Sequence, residues 1–308
     1  MTVFAFRRLA MALPTLLVLV TVAFFLMRAA PGGPFDDERV MPDTIRAQIE
    51  AAYHLDEPLW RQYLIYMGNL AQGDLGPSFR YEGRTVNELI AAGLPVSLTI
   101  GGLALLLALA LGTAAGVTAA LRRGKATDHL VMGLSMTGIS IPNFVIAPLL
   151  ILAFAVYLGW LPAGGWENAG WRHLVLPVVA LALPQVAYVA RLLRGSLIEV
   201  LSSDYIRTAY AKGLPTRTVI LRHALRPALV PVVSYLGPAA AALITGSVVM
   251  EQIFGIPGLG RHFVQGALNR DYTLVLGLVL FYGGLIIAFN FVVDLLYGVL
   301  DPRMRQRA

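Results

Sequence analysis

Six long apolar runs alternate with polar connections along the chain, at residues 9–27, 94–121, 130–158, 174–193, 229–250 and 274–296. Each run is close to the roughly 20 apolar residues that an α-helix needs to cross a bilayer. Pro142 and Pro148 lie inside the third run, so that helix is expected to be kinked or tilted. Pro177 and Pro184 weaken the regularity of the fourth run in the same way. The pattern predicts an all-α polytopic membrane protein with six transmembrane helices.

The composition agrees with this pattern. The chain has 308 residues, of which 57% are hydrophobic and only 14% are charged, and its mean hydropathy is +0.69. These values are typical of a multi-spanning membrane protein and not of a soluble domain. The formal net charge is +6, but the basic residues cluster at the ends of apolar runs, so a nucleic-acid partner is not expected.

Lysine and arginine are divided unevenly between the two sets of connections. Fifteen lie in the N-terminus, the second–third and fourth–fifth connections and the C-terminal tail, whereas the other short connections hold only Arg172, Arg261 and Arg270. The positive-inside rule therefore predicts that both termini are cytoplasmic. The chain is expected to divide into the N-terminus with the first helix (1–27), a long outer segment (28–93), a five-helix core (94–300) and a cytoplasmic tail (301–308).

The outer segment is expected to be structured. Apolar positions four residues apart predict amphipathic helices at 43–53 and 56–70. Residues 73–78 have turn chemistry, and Thr85 with Glu88 forms a capping box that leads towards the second span. Two interpretations stay open: a small cap over the membrane domain, or a docking platform for an extracytoplasmic solute receptor.

One conspicuously polar stretch, residues 202–227, lies between the fourth and fifth runs. Gly213 suits the left-handed position after a helix, and Pro215 cannot continue a helical turn, so one helix is expected to end there and another to begin. Asp204 is the expected N-cap of the first helix and Thr216 that of the second. Two short helices that project from a membrane domain need a partner against which to dock.

Sequence motifs for catalysis and metal binding are missing. The Gly-Lys pair at 124–125 lacks the upstream glycine spacing of a Walker A motif, and the five histidines have no metal-ligand spacing. Ser140, Ser196 and Ser247 show no neighbouring His/Asp arrangement for nucleophilic catalysis. Only Asp294 is counted as a carboxylate inside a span, whereas an ion-coupled transporter is expected to keep carboxylates near the midplane. The chain is therefore not expected to be an enzyme.

Residues 205–213, YIRTAYAKG, together with residues 225–227, resemble the "EAA" coupling loop of ABC-importer membrane subunits. Arg207 and Thr208 stand where that loop has Glu and Ala. The likeness to the dipeptide/oligopeptide permease family runs from end to end and is closest to its B-type membrane subunits. The segments that carry it are 27–34, 73–78, 222–225, 234–238, 256–260, 269–272 and 301–303.

The resemblance implies the permease subunit of a type I ABC importer of oligopeptides in the inner membrane of a bacterial cell. It implies as partners a second, similar permease subunit, two cytoplasmic ATPase subunits and an extracytoplasmic peptide-binding protein. ATP and Mg would bind to the ATPases, and this chain would hold no cofactor or metal. The residues expected to couple to the ATPase are Asp204, Tyr205, Arg207, Thr208, Ala209, Ala211, Lys212, Gly213, Leu214 and Arg217.

These positions have different expected roles. Gly213 is expected to be the backbone pivot, because a side chain there would oppose a positive φ. Ala209 and Ala211 would allow close approach to the wall of the ATPase groove. The cations in the loop either pair with acidic groups on the ATPase or are the ordinary positive charge of the inner leaflet.

The candidate pore or gate residues are Asn143, Phe144, Gln185, Tyr188, Met250 and Phe254. Asn143 and Gln185 lie beside prolines within spans, so they either face a pore or cap local backbone breaks. The aromatic and methionine side chains either gate the path or simply pack.

Several alternatives remain at this stage. The same architecture serves importers of dipeptides, nickel chelates and glutathione. A secondary transporter would move solute without any ATPase, and a membrane sensor or scaffold would move none at all.

Overall fold

The computed structural model describes residues 2–29, 48, 51, 53–167, 170–245 and 247–300, with backbone only for 2–9, 245 and 295–300. Over these residues the chain is helical, and its β-structure is an isolated bridge between Pro77 and Thr85. The helices in chain order are α1 (Thr2–Ala29), α2 (Leu59–Ala71), α3 (Val86–Leu121), α4 (Ala126–Ser140), α5 (Asn143–Leu150), π1 (Ile151–Tyr157), α6 (Trp171–Leu201), α7 (Asp204–Ala211), α8 (Thr216–Thr218), π2 (Val219–Ala224), α9 (Leu225–Ala228), α10 (Val230–Thr245), α11 (Ser247–Ile253), α12 (Leu259–Leu268) and α13 (Tyr272–Leu300).

Within the described part of the chain, five helical segments are long and apolar enough to cross a membrane. The count rises to six if α4 and α5–π1 together form one span. The prediction of a single kinked third helix is corrected by this pair, because the helix direction bends by 102° between α4 and α5. The break falls at Ile141 and Pro142, which have extended backbone with ψ of 120° and 142°. Proline lacks the N–H of a helical hydrogen bond and disfavours helical geometry in the residue before it.

The fourth apolar run keeps its regularity. Helix α6 continues for 31 residues, and Pro177 and Pro184 both lie inside it. Its main neighbour is α3, and glycines on α3 let the two backbones approach closely. A Cβ added at Gly112 would lie 2.7 Å from the Val189 Cβ, and one added at Gly116 would lie 2.7 Å from the Ala190 carbonyl oxygen. The two helices run parallel, since later residues of α3 face later residues of α6, and the pair forms the centre of the bundle.

Helix α3 joins two polar ends of the bundle. Its first residue, Val86, packs with Leu259 and Leu274 at what we call the cap end, formed by residues 53–85, 159–167 and 254–271. Near its last residue, Ala120 packs with Ile206 at what we call the loop end, formed by residues 122–125 and 202–229.

The cap end contains the second helix predicted for the outer segment. The structure has it as α2, which packs on α1 through hydrogen bonds between Thr21 and Tyr63 (2.8 Å) and from Arg28 Nε to Gln62 Oε1 (2.9 Å). The capping box at Thr85 is also confirmed. The predicted helix at 43–53 falls almost entirely outside the described residues, as does the tail at 301–308.

The turn after α2 is tied to the beginning of α13. Ser78 Oγ donates to the buried carboxylate of Asp271, which also accepts the Leu274 N–H (3.2 Å) and so caps α13. Arg80 Nε donates to the Asn269 carbonyl oxygen (3.0 Å). Two segments that are almost 200 residues apart in sequence, 73–78 and 269–272, therefore meet in one network.

Candidate functional site

The polar hairpin at the loop end, formed by α7, α8 and π2, is rooted in the bundle. Ile206 and Val219 are buried, and they pack with Leu193 and Leu197 of α6 and with Ala120 of α3. The hairpin therefore stands on the ends of the two central helices, and a force applied to it acts directly on them.

A Schellman motif ends α7. The N–H of Gly213 donates to the Tyr210 carbonyl oxygen (2.9 Å), and the N–H of Leu214 donates to that of Ala209 (3.3 Å). Gly213 has φ +77°, which confirms the predicted left-handed position. Among the described residues nothing lies within 4 Å of a Cβ added there, so the backbone conformation and not crowding requires glycine.

The two helix starts differ by one residue from the prediction. Asp204 is the first residue of α7 rather than its N-cap, and Thr216 is the first residue of α8. The preceding residues, Ser203 and Pro215, already have the extended backbone of an N-cap, with ψ of 154° and 143°. The Ser203 hydroxyl donates backwards to the Val200 carbonyl oxygen (2.6 Å) and does not cap α7.

The outward face of the hairpin is basic and aromatic. Tyr205 and Tyr210 are 50% and 43% exposed. The exposed positively charged side chains are Arg207, Lys212, Arg217, Arg222 and Arg226. Within the described chain their one ion pair joins Arg207 to Asp204 at 3.3 Å, and both of those side chains are largely exposed. An exposed pair of this kind contributes little to stability, so the face remains available to a partner.

Most of the predicted coupling residues lie on this face, but Ala209 does not. Thr208 and Ala211 are exposed and Leu214 is half-buried, whereas Ala209 is only 6% exposed and packs in the core under the hairpin. Its small side chain therefore permits close packing of α7 on this chain's own helices. The predicted role of Ala209 in approaching a partner is wrong for this reason.

An ion pair that sequence reasoning missed lies beside the hairpin. The guanidinium of Arg194 on α6 donates two hydrogen bonds to the buried carboxylate of Asp128 on α4, from Nε (2.5 Å) and from Nη2 (2.7 Å). The Gly124 N–H donates to the same carboxylate (2.9 Å). The bidentate pair joins the helices that flank the loop end.

The candidate pore residues fall into two groups. Met250 and Phe254 are each 1% exposed and pack with Ile100 and Leu181 in the largest apolar cluster, so they do not line an open path in this conformation. In this structure they pack in the core, which is the second of the two roles left open by their sequence. Phe144, in contrast, is 57% exposed on α5, and the neighbouring Asn143 is half-buried.

The other two candidates belong to a polar stripe on α6 and α10. Gln185 Oε1 accepts a hydrogen bond from Tyr235 Oη (2.6 Å), and the Tyr188 ring lies 5.6 Å from the Tyr235 ring. The Arg191 guanidinium lies 5.3 Å from the centre of the Tyr188 ring. We call Gln185, Tyr188, Arg191 and Tyr235 the polar stripe. Arg191 was detectable from sequence, since positions 185, 188 and 191 recur on one helix face.

Glu251 corrects the count of carboxylates within the spans. The predicted fifth span ended at residue 250, but the apolar helical segment extends over Val230–Ile253 and includes Glu251. Its side chain is fully buried, and its Oε1 accepts hydrogen bonds from the hydroxyls of Ser97 and Ser247, both at 2.6 Å.

Long apolar helices, one of them broken, together with a basic hairpin anchored in the bundle, are typical of a multi-pass membrane protein that offers a surface to a partner. The chain belongs to the family described as "Binding-protein-dependent transport system inner membrane component", which matches residues 112–306. It is accordingly a multi-pass membrane permease of the ABC-importer class and a non-catalytic component.

Curated relatives match almost the whole chain. The "oligopeptide transport system permease protein OppB" of Haemophilus influenzae and that of Escherichia coli K12 are each 54% identical over 302 residues, covering 98% of this chain and 99% of theirs. The "dipeptide transport system permease protein DppB" of Bacillus subtilis is 46% identical over 291 residues, 94% of each chain.

A solved structure shares the fold. A chain of the MetNI methionine ABC transporter in an inward-facing conformation aligns with a TM-score of 0.57 at 20% identity, covering 69% of this chain and 96% of that chain. At this identity the likeness concerns the fold alone.

Proposed function

We propose that this chain is the membrane-spanning permease subunit of an ATP-driven importer of oligopeptides. The full-length similarity to oligopeptide permease proteins supports the substrate class. The similarity to a dipeptide permease protein means that shorter peptides belong in any assay of substrate range.

The docking surface for the cytoplasmic ATPase is the outward face of the α7–α8 hairpin. The observation that carries this proposal is the division of α7 into two faces. Ile206 and Ala209 are buried in the bundle, whereas Tyr205, Arg207 and Lys212 are exposed. A surface that is fixed to two spans and faces outwards transmits motion from a partner to the membrane domain.

The remaining assignments follow from this docking. The loop end and both termini are cytoplasmic, because most lysines and arginines of the connections lie there. The cap end is extracytoplasmic and faces a peptide-binding protein. ATP and Mg²⁺ bind to two ATPase subunits and not to this chain, and a second permease subunit completes the path in the inner membrane.

The polar stripe is the best candidate for part of that path. Gln185, Tyr188 and Tyr235 are half-buried and Arg191 is exposed, and polar side chains within an apolar span avoid hydrocarbon, so they face water or protein. By contrast, the exposed positions of α3 include Leu103, Leu106 and Leu111, as a lipid-facing surface requires.

A glycine substitution tests the docking proposal. Gly213→Val places a β-branched residue at φ +77°, a strain of about 1–3 kcal/mol, and so distorts the hairpin without touching the spans. Gly195→Ala is the matched control, since Gly195 lies in helix α6 with open space around it. The measurement is peptide-stimulated ATP hydrolysis by the complex reconstituted in lipid with its binding protein.

We expect the Gly213→Val complex to lose stimulated hydrolysis and ATPase co-purification while its permease still inserts, and the Gly195→Ala complex to retain both. Full stimulation in the Gly213→Val complex would show that the hairpin is not the coupling element. Uptake of labelled di-, tri- and pentapeptides by the same liposomes measures the substrate range.

A further inference from the structure

The buried carboxylate of Glu251 closes the N-terminus of α12. Its Oε2 accepts the backbone N–H groups of Gly260 (2.8 Å) and Arg261 (3.3 Å). Ser97 Oγ accepts the N–H of Leu259 (2.9 Å) while donating to the carboxylate. Three of the four N–H groups that a helix leaves without internal partners are therefore satisfied by side chains from α3 and α11. The carboxylate also lies at the positive end of the α12 dipole.

Close backbone packing reinforces this link. A Cβ at Gly258 would overlap the Glu251 carboxylate, and a Cβ at Gly260 would overlap the backbone of Val248. The Ile256 N–H donates to the backbone carbonyl oxygen of Glu251 (2.8 Å), which folds the connection back on α11. Helices α11 and α12 thus form one unit, residues 247–268, which we call the arm.

The arm lies at the far end of the span that begins beside the hairpin. The apolar segment Val230–Ile253 starts directly after α9 at the loop end and ends in the arm at the cap end. On its other side the arm packs against α13, where Gly266 faces Leu274, and against Val86 of α3. It therefore connects the fifth span to the surface of the cap end.

We propose that Glu251 is a positioning residue of the transport cycle, and the inference rests on the function proposed above. By fastening α12 to the cap-end terminus of the fifth span, it makes the arm move as one body with that span. A displacement that begins at the hairpin is thereby delivered to the cap end, where peptide enters. Without the link, the ATPases still turn over, but the cap end no longer follows them.

The first variant is Glu251→Gln. The amide keeps the volume of the side chain but directs an NH₂ group at hydrogen-bond donors, either the two serine hydroxyls or the N–H groups of α12. We expect receptor-stimulated ATP hydrolysis to persist in lipid, while peptide uptake per ATP falls several-fold, because the link between α12 and the fifth span is weakened. Unchanged uptake per ATP would overturn the proposal.

Three buried serines provide matched substitutions. Ser97→Ala and Ser247→Ala each remove a hydroxyl that donates to Glu251, whereas Ser78→Ala removes one that donates to Asp271, outside the arm. The first two variants should lower uptake per ATP, and Ser78→Ala should not. If all three lower it equally, or if Glu251→Gln, Ser97→Ala and Ser247→Ala fail to assemble while Ser78→Ala assembles, the role of Glu251 is structural only and the proposal is overturned.

A distance measurement reports on the arm directly. The chain contains no cysteine, so spin labels can be placed at Val249→Cys on α11 and Leu268→Cys on α12, both exposed at 47% and 70%. In a complex without other reactive cysteines, the distance should be the same in resting and ATP-bound states. It should change between states or broaden in the Glu251→Gln background. A wild-type distance that changes between states would show that the arm is not one body.

The two proposals fail differently. Absence of ATP-driven uptake by the unsubstituted complex contradicts the proposed function, whatever Glu251 does. Uptake by the unsubstituted complex, with parallel loss of hydrolysis and uptake in Glu251→Gln, contradicts the positioning role alone.

Discussion

The imidazole of His262 on α12 packs edge-on against Tyr81, with ring centroids 5.6 Å apart. Burial, together with the nearby charge of Arg261, lowers the pKa of His262. Its folded-state pKa therefore lies below the ordinary value of about 6.5 in the unfolded chain. The contribution of neutral His262 to the stability of the folded protein is complete above pH values of about 6.5. It declines as the pH falls below that value, because the unfolded state takes up the proton more readily.

This linkage predicts that protein stability depends on pH and that substitution of His262 weakens the dependence. Between pH 7.5 and pH 5.5 the Tm of the purified protein should fall, and the fall should be smaller in His262→Gln. His129→Gln is the control, because His129 is exposed at the other end of the bundle. Thermal unfolding in detergent at both pH values is the measurement. The prediction would be contradicted if the Tm fell by the same amount between the two pH values in the His262→Gln variant and in the unsubstituted protein.

At the scale of single residues, local chemistry could be inferred from sequence and distant pairing could not. Gly213 and the Thr85–Glu88 capping box are recognisable because all their partners lie within a few positions. Glu251, in contrast, meets Ser97 across 154 positions, and Ser78 meets Asp271 across 193. The glycines around Glu251 stand within a segment that resembles the family, but only the folded chain shows what they accommodate.

Helix pairing depends on small residues at the contact between α3 and α6. A Cβ added at Gly112 would lie 2.7 Å from the Val189 Cβ and 2.9 Å from the Val186 carbonyl oxygen. Gly102, on the same helix, has open space around it. Interhelical packing through small residues is a principal source of stability in membranes, where no hydrophobic driving force brings helices together.

The contrast between these glycines gives a matched test. Gly112→Ala should destabilise the protein by about 1–3 kcal/mol through overpacking, whereas Gly102→Ala should be neutral or stabilising by up to about 1 kcal/mol. Thermal unfolding of both variants in the same detergent is the measurement. If the two substitutions shifted the Tm equally, α3 and α6 would be able to move apart and accommodate the added methyl group, and the prediction would be wrong.

Helix types could be predicted from the apolar pattern, but breaks and faces depended on tertiary contacts. Pro142 and Pro184 look alike in sequence, yet the first separates two helices at 102° and the second lies inside the continuous helix α6. The direction of Ala209 likewise depends on how α7 seats on the ends of α3 and α6.

At the scale of the whole molecule, the two ends expose different side chains. The loop end carries exposed arginine and lysine side chains on the hairpin, and the cap end exposes Trp60 on α2. The proposed orientation places these ends on opposite sides of the membrane.

Labelling of single cysteines tests this orientation, because the chain has no cysteine of its own. In intact spheroplasts a membrane-impermeant maleimide should label Trp60→Cys at once and Arg123→Cys, in the loop-end connection outside the docking face, only after permeabilisation. Both native side chains are exposed, so neither substitution disturbs the core. The reverse order of labelling would invert the proposed topology.

The break between α4 and α5 has a consequence for solvent. Helix α5 begins without a side-chain cap, and its first amides, at Asn143 and Phe144, precede the first intrahelical hydrogen bonds. Hydrocarbon offers no acceptor to such donors, so within a bilayer these amides need water or a polar group of neighbouring protein. We therefore expect this bend to lie against protein or to line a cavity and not to face lipid, which makes it the place in the membrane domain where a path for a polar solute meets the least resistance from hydrocarbon.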